Sequence, residues 1–156
     1  MAKEIERKFK VRDLSILNAL TGQRITQGYL SAARIVTRVR VIDDVEAFLT
    51  IKGPSNGAGS CDEFEYSIPL ADAKEMLFLC GARIIDKTRY KIPAGNGLTF
   101  ELDVFHGLHE GLVVVEVELP SIDTPVDLPA WVGEEVTGDY HYANAYLATQ
   151  FEPQNQ

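Results

Sequence analysis

The chain has 156 residues and a mass of 17.3 kDa, a size that suits one ordinary domain. With 46% hydrophobic and 24% charged residues it has the composition of a globular protein, which excludes a collagen, a coiled coil or a disordered chain. A net charge of −8 repels polyanions, so we expect neither nucleic acid nor an anionic membrane as partner. We predict a single domain over residues 1–156.

Cysteine usage and hydropathy bear on the compartment. Cys61 and Cys80 are too few for a disulfide scaffold and lack the C-x-x-C spacing of a redox or zinc site. The chain opens on alternating charged residues rather than the apolar core of a signal peptide, and no stretch approaches the length of a membrane span. We therefore predict a soluble, cytoplasmic protein.

Period-two alternation of apolar and polar residues is the main structural signal. It predicts eight strands, at residues 3–11, 25–32, 34–42, 46–53, 61–68, 83–92, 98–104 and 112–119. Residues 53–59 and 93–97 are rich in Gly, Asn and Pro, which is typical of hairpin turns. The strands should therefore pair antiparallel.

Helical signals are fewer. Asp13 is placed to cap a short leucine-containing turn that ends at Gly22, and further helices are predicted at residues 71–80 and 139–149. Together with the strands, these segments indicate an α+β domain built mainly on an antiparallel sheet.

The alternation places charged side chains on one face of nearly every strand. In the first strand Glu4, Glu6 and Lys8 share a face, because successive side chains point to opposite sides. One interpretation is a sheet with a solvated side, which is normal for antiparallel structures. The alternative is a barrel with the ionic face inward, whose polar lumen would form a ligand tunnel.

The signs of the charges favour the tunnel. Four acid-x-acid pairs occur, namely Glu4 and Glu6, Glu63 and Glu65, Glu101 and Asp103, and Glu116 and Glu118. Residues two apart on a strand project side by side, roughly 7 Å apart, and such carboxylates suit a hard cation such as Mg²⁺ or Mn²⁺. The matching cations are Lys8, Arg38, Arg40, Lys52, Lys87 and Arg89. Arginine and lysine together suit phosphate oxygens.

Several segments resemble one family. E-I-E-R-K at residues 4–8 resembles the E-x-E-x-K signature of the CYTH, or triphosphate tunnel metalloenzyme, superfamily. Further segments resemble its motifs in the same order: Q-G-Y-L at 27–30, R-V-R at 38–40, L-T-I-K-G at 49–53, E-F-E at 63–65, K-T-R-Y at 87–90, F-E-L-D-V-F at 100–105, V-E-V-E-L at 115–119 and G-E-E-V-T at 133–137. The resemblance covers essentially the whole chain.

The resemblance implies a fold and a site. The fold is an eight-stranded antiparallel β-barrel, or tunnel, with a polar charged lumen and a few flanking helices. The implied metal ligands are Glu4, Glu6, Glu116 and Glu118, with Glu63, Glu65, Glu101 and Asp103 as further ligands, directly or through water. The implied phosphate clamp is Lys8, Arg38, Arg40, Lys52, Lys87 and Arg89. Lys8 and Lys87 are the expected catalytic residues, and a second metal or Lys87 is expected to orient and activate water.

The implied activity is metal-dependent hydrolysis of inorganic tripolyphosphate, or an organic triphosphate, to phosphate and pyrophosphate. Three alternatives stay open: a class IV-type adenylate cyclase, a thiamine triphosphatase, and a polyphosphate or nucleotide sensor without catalysis. The expected partner is a small triphosphate. The oligomeric state is left open, with a homodimer as one alternative.

One position departs from the resemblance. Short bacterial members carry R-x-E-x-E in the fifth strand, but Cys61 stands in the first place, so one expected cation is missing. We interpret Cys61 as a small, half-buried residue without thiol chemistry. The histidines His106, His109 and His141 lack metal-ligand spacing and are predicted to lie on the surface, while Trp131 should pack a connection.

Overall fold

A computed structural model describes residues 3–149, which form nine strands, two α-helices and three short 3₁₀ helices. The strands are β1 Lys3–Val11, β2 Gln23–Ala32, β3 Val36–Ile42, β4 Glu46–Lys52, β5 Ser60–Ser67, β6 Ile84–Gly95, β7 Leu98–Phe105, β8 Val113–Glu118 and β9 Val132–Glu135. The α-helices are α1 Leu70–Leu79 and α2 Asn144–Thr149, and the 3₁₀ helices are Ser15–Ala19, Gly107–His109 and Tyr140–Tyr142. Residues 1–2 and 150–156 of the predicted domain lie outside the described residues.

The strands close into a barrel. Their order in the sheet is β5-β4-β3-β2-β6-β7-β8-β1-β9, every pairing is antiparallel, and β5 also pairs with β1. This last pairing closes eight strands into a ring, and β9 is added to the far half of β1. The predicted fold class, an eight-stranded antiparallel barrel within an α+β chain, is confirmed.

The ring closes along β1, which has two partners on the same edge. Residues 3–5 pair with β5, and β1 pairs with β9 at Phe9 and Val11. Between them the backbone N–H of Glu6 donates to the carbonyl oxygen of Gly59 at 2.9 Å, and that of Lys8 donates to Thr137 Oγ1 at 2.9 Å. The sequence did not predict β9, because four residues that include a glycine are too short to show an alternating pattern.

Apolar residues on the outer face of the barrel are covered by other segments. Helix α1 packs on β3 and β4, where Ala73 and Cys80 join Val39 and Val41 in one cluster. The 3₁₀ helix Ser15–Ala19 and the connection to β9 cover the opposite side. Trp131, as predicted, packs in that connection, with its ring edge-on to Phe100 at 5.3 Å between centroids.

The segment predicted as one helix over 139–149 has a different form and place. It divides into the 3₁₀ helix Tyr140–Tyr142 and α2, with an extended residue, Ala143, between them. Ala148 of α2 packs with Tyr29, Ile85, Phe105 and Val114. Tyr29 and Phe105 are the register partners of the lumen residues Arg38 and Lys87, so α2 covers apolar residues of the inner face and closes one end of the barrel.

Among residues 3–149, no helix has both the length and the apolar character needed to cross a bilayer.

Two glycines in the β4–β5 loop test the packing of the seam, the place where β1 meets β5 and the β4–β5 loop and the ring closes. Gly59 has φ +87° and a Cβ there would collide with the carbonyl oxygen of Glu6, whereas Gly57 has φ +82° but open space around it. We expect Gly57→Ala to cost about 1 to 2 kcal/mol through its left-handed backbone alone. Gly59→Ala should cost about twice as much or more, as measured by urea denaturation. Equal losses in the two variants would contradict this account of the seam.

Candidate functional site

The barrel encloses a cavity of about 610 Å³ whose lining carries many charged side chains of both signs. It is lined by all six predicted cations and by seven of the eight predicted acids: Lys8, Arg38, Arg40, Lys52, Lys87 and Arg89, with Glu4, Glu6, Glu63, Glu65, Glu101, Glu116 and Glu118. The eighth acid, Asp103, is 2% exposed and lies behind this surface. The predicted residues are therefore brought together, because a closed barrel turns one face of every strand inward.

Strand register sets opposite charges side by side. Lys8 of β1 stands opposite Glu116 of β8, and Lys52 of β4 stands opposite Glu63 of β5. The Nζ–carboxylate distance is 3.8 Å in each pair, and Lys52 Nζ also lies 2.7 Å from Glu4 Oε1. Cross-strand neighbours on one face are close enough for such contacts.

Asp103 is the most tightly held acid of the site. Its two oxygens accept from Arg89 Nε and Nη2 at 2.8 and 2.9 Å, and Lys87 Nζ lies 2.7 Å from Oδ2. Burial acts against its charge, but these two cations hold the pKa of Asp103 well below its usual range. Arg89 extends the network to Glu101 at 3.2 Å and Glu116 at 3.6 Å.

Arg38 is held less completely. Its Nη2 donates to Thr50 Oγ1 at 3.1 Å and lies 3.5 Å from Glu65 Oε2. Its Nε is buried and has no hydrogen-bond partner among the described residues. A buried, unpaired donor on a guanidinium is costly unless an anion completes it, so this atom points to a ligand with acceptor oxygens.

Negative charge is in excess around Glu6. The pKa of Glu6 is raised to about 8, mainly by burial and further by the nearby carboxylates of Glu116 and Glu4. Burial and neighbouring carboxylates also raise the pKa values of Glu63 and Glu118. Within residues 3–149 neither Glu6 nor Glu118 is in an ion pair with a lysine or arginine. These carboxylates repel one another and would be relieved by a cation.

Positive charge is in excess around Lys87 and Arg40. Burial lowers the pKa of Lys87 to about 7, with Arg89 and Arg40 adding to the effect and Asp103 opposing it. Burial and the guanidinium groups of Arg38 and Arg89 lower the pKa of Arg40 to about 9. The lumen therefore contains a group of crowded cations and a group of crowded acids at once.

The carboxylates of the lumen could bind a metal ion only together with a further ligand. Within residues 3–149, no three Asp, Glu, His or Cys side chains converge closely enough to hold a metal ion on their own. Mg²⁺ is usually bound through one or two carboxylates together with waters and substrate phosphates. The donor set of this lumen is compatible with that mode of binding.

Cys61 lines the cavity beside Glu4, with 3.8 Å between its Sγ and Glu4 Oε1. Burial is the main cause that raises the pKa of Cys61 to about 11, so its side chain stays a thiol. The three histidines do not line the cavity, since His106 bonds to Thr88, His109 to the carbonyl of Leu147 and His141 to Asp139. His141 is exposed as predicted, but His106 and His109 are partly buried.

Among the polar residues at the site that were not singled out from the sequence, Gln27 and Asn144 contact the crowded cations. Gln27 is fully buried, and its Oε1 accepts from Arg40 Nε at 2.8 Å. Asn144, which lines the cavity from α2, accepts from Lys87 Nζ at 2.9 Å and from Gln27 Nε2 at 3.3 Å. Gln27 lies in the Q-G-Y-L motif and shares a strand face with Tyr29, which was an available signal. Asn144 showed no such signal in the sequence, because only the fold brings it next to Lys87.

The Asp103 network predicts an uneven response to neutralising acids. Asp103→Asn would leave Lys87 and Arg89 buried with a missing counter-charge, so we expect a loss of roughly 3 kcal/mol in unfolding free energy. Glu101→Gln is the control, because Glu101 is partly exposed and contacts Arg89 at 3.2 Å. It should cost about 1 kcal/mol or less. Chemical denaturation of both variants measures the difference, and similar losses would contradict the role given to Asp103.

Comparisons with known proteins agree with this geometry. The CYTH domain family model matches residues 2–151. An inorganic triphosphatase of Acetivibrio thermocellus is 42% identical over 149 residues, covering 94% of each chain, and one of Nitrosomonas europaea is 37% identical over 148 residues, covering 93% of this chain and 96% of its own. The crystal structure of the inorganic triphosphatase NE1496 aligns with a TM-score of 0.67 at 35% identity, covering 98% of this chain and 99% of that one.

Proposed function

Because the chain belongs to the CYTH family, we propose that it is a divalent-metal-dependent triphosphatase that hydrolyses inorganic tripolyphosphate to phosphate and pyrophosphate inside its barrel. The names of the two curated relatives, both inorganic triphosphatases similar along nearly their full length, support the substrate class. The chemistry of the lumen supports the reaction.

One observation carries the proposal: the same cavity holds crowded acids around Glu6 and crowded cations around Lys87 and Arg40. Ion pairs such as Lys8 with Glu116 and Lys52 with Glu4 join the two groups, but within residues 3–149 they leave Glu6 and Glu118 without a lysine or arginine partner and Arg40 without a carboxylate partner. A metal ion bound to a polyphosphate presents a cation and an anion together, so it relieves both groups in a single binding event. A plain anion would leave the repelling carboxylates unrelieved, which disfavours a sensor that binds phosphate alone.

The cations form the phosphate clamp. We assign this role to Lys8, Arg38, Arg40, Lys52, Lys87 and Arg89, all of which line the cavity. Arg38 Nε supplies an unpaired buried donor for a phosphate oxygen. Fixed donors inside a closed lumen are worth more than donors in water, since they need no reorganisation as charge develops.

The acids form the metal-binding part. We assign Glu4, Glu6, Glu116 and Glu118 as the residues that hold the ion, Mg²⁺ or Mn²⁺, with Glu63, Glu65 and Glu101 beside them. A bound ion of this kind would polarise phosphoryl oxygens as a Lewis acid. Asp103 receives a different role from the one first expected: because its oxygens are taken by Arg89 and Lys87, we propose that it is their counter-ion.

The reaction then needs little covalent chemistry from the protein. Water attacks a terminal phosphorus atom, the bond to the bridging oxygen breaks, and pyrophosphate leaves with the negative charge of that oxygen. Lys8 and Lys87 are the proposed catalytic residues, because both line the cavity and an ammonium group can donate to the oxygens on which charge develops. The proton of the water passes to the released phosphate or to solvent.

The proposal also covers the cellular location and the oligomeric state of the protein. Cys61 and Cys80 are both free thiols, the state that a reducing cytoplasm maintains, so we propose a cytoplasmic location. A homodimer stays a prediction, which the mass of the protein in solution would test.

A substrate panel tests the activity. With Mg²⁺ or Mn²⁺ present, tripolyphosphate should have a higher kcat/KM than ATP or thiamine triphosphate, because the clamp consists of groups that grip phosphate oxygens. Chelation of the metal should abolish turnover. Cyclic AMP as the main product from ATP would establish the cyclase instead, and binding of tripolyphosphate without any product would establish the sensor.

Adjacent residues on the two faces of β1 test the lumen. Lys8 points into the cavity, whereas Arg7 lies on the outer face and pairs with Glu135 at 2.8 Å. Lys8→Gln should lower kcat/KM for tripolyphosphate roughly 10- to 100-fold, as expected for the loss of a charged hydrogen bond to the substrate. Arg7→Gln removes the same charge and should stay within about twofold of the unmodified enzyme, because a surface ion pair contributes little. Equal effects would count against a substrate in the lumen.

A further inference from the structure

Two neutral amides link the two crowded cations of the lumen. Arg40 Nε donates to Gln27 Oε1 at 2.8 Å, and Gln27 Nε2 donates to Asn144 Oδ1 at 3.3 Å. Asn144 Oδ1 also accepts from Lys87 Nζ at 2.9 Å. This amide pair, Gln27 and Asn144, therefore joins Arg40 on one side to Lys87 on the other.

The orientation of both amides follows from the groups at the two ends. Arginine and lysine side chains can only donate hydrogen bonds, so each must face an amide oxygen. Gln27 must present its oxygen to Arg40, which turns its NH₂ group towards Asn144 and towards the hydroxyl of Tyr29 at 2.8 Å. Asn144 must in turn present its oxygen to Lys87. The chain of bonds has one polarity and holds both cations in defined positions.

The neutrality of the pair matters as much as its hydrogen bonds. A carboxylate at position 144 would also hold Lys87, but it would cancel positive charge in the phosphate clamp and repel an incoming anion. Lys87 already has one carboxylate partner, Asp103 at 2.7 Å. An amide oxygen orients the ammonium group and leaves its charge available for substrate.

The same segment also contacts Lys8. The extended backbone at Ala143 leaves the carbonyl of Tyr142 outside α2, where it accepts from Lys8 Nζ at 3.1 Å. Residues 142–144 thus supply one acceptor to each of the two proposed catalytic lysines. The packing of Ala148 among the inner-face residues Tyr29 and Ile85 holds α2 in place for this.

We propose that Asn144, supported by Gln27, is a positioning residue that orients Lys87 towards the triphosphate, so that closure of the barrel by α2 completes the catalytic site. This inference rests on the proposed function. Asn144 acts through Lys87 and its loss affects alignment in the transition state more than attraction of the substrate, because the other cations of the clamp remain.

Steady-state kinetics with tripolyphosphate and Mg²⁺ test the proposal in three full-length variants. Asn144→Ala should lower kcat roughly tenfold with KM changed by less than about threefold, because orientation is lost and charge is kept. Asn144→Asp keeps an acceptor for Lys87, so kcat should recover towards the unmodified enzyme while KM rises through repulsion of the anion. Leu112→Ala is the control, since Leu112 packs against the same apolar cluster as α2 but lies neither in α2 nor in the cavity lining. It should lower thermal stability and leave kcat of the folded protein within about twofold.

Three outcomes would overturn the proposal: a kcat for Asn144→Ala within about twofold of the unmodified enzyme, a kcat for Asn144→Asp as low as that of Asn144→Ala, or a kcat for Leu112→Ala lowered as much as that of Asn144→Ala. A second readout does not depend on activity. The ¹⁵Nζ resonance of Lys87, assigned with Lys87→Gln and recorded at mildly acidic pH, should shift and broaden in Asn144→Ala but not in Leu112→Ala. An unchanged resonance would also overturn it. If the unmodified protein fails to hydrolyse tripolyphosphate, the proposed function is wrong, and this resonance alone decides the positioning role.

Discussion

The structure depends on the confinement of many charges of both signs inside one closed ring of strands. A closed barrel has no edge through which an inward-facing side chain can turn away, so each charged residue of the inner face must find a partner within the lumen or remain unrelieved. Asp103, held by Lys87 and Arg89, is the acid whose charge is most completely paired. Glu6 and the donor atom Arg38 Nε show where the pairing is incomplete. This incompleteness is a cost in stability that a bound metal and triphosphate would offset.

The rest of the fold follows from this confinement. Because the lumen is ionic, the hydrophobic core that stabilises the protein must lie outside the ring, where Phe9, Leu102 and Val117 pack in one cluster and Val39 and Val41 in another. Covering segments such as α1 are therefore required rather than incidental. At the end of the barrel where the inner face turns apolar, α2 provides the same cover from the lumen side.

Neutral polar groups hold the crowded cations in place without cancelling their charge. Gln27 and Asn144 satisfy the hydrogen bonds of Arg40 and Lys87 without adding negative charge, and the carbonyl of Tyr142 does the same for Lys8. Of the six clamp cations, Arg40 alone is in no ion pair with a carboxylate within residues 3–149, so its charge is left for phosphate. The division of work between Asp103, which pairs fully, and the amides, which only orient, is consistent with a site that has to accept an anion.

The sequence by itself determined the eight barrel strands, the two faces of each strand and the membership of the ionic set, because side-chain direction in a strand alternates whatever its neighbours are. All six cations and seven of the eight acids chosen on that basis line the cavity. Only the tertiary structure decided which charges pair, since cross-strand register depends on hydrogen bonding between distant segments: Glu4 meets Lys52 across 48 positions. It also decided the place of β9, of the divided segment 140–149 and of Asn144, which lies 57 positions from Lys87. Short segments carry too little periodicity to reveal their partners, and their positions are set by the surfaces left uncovered when the barrel closes.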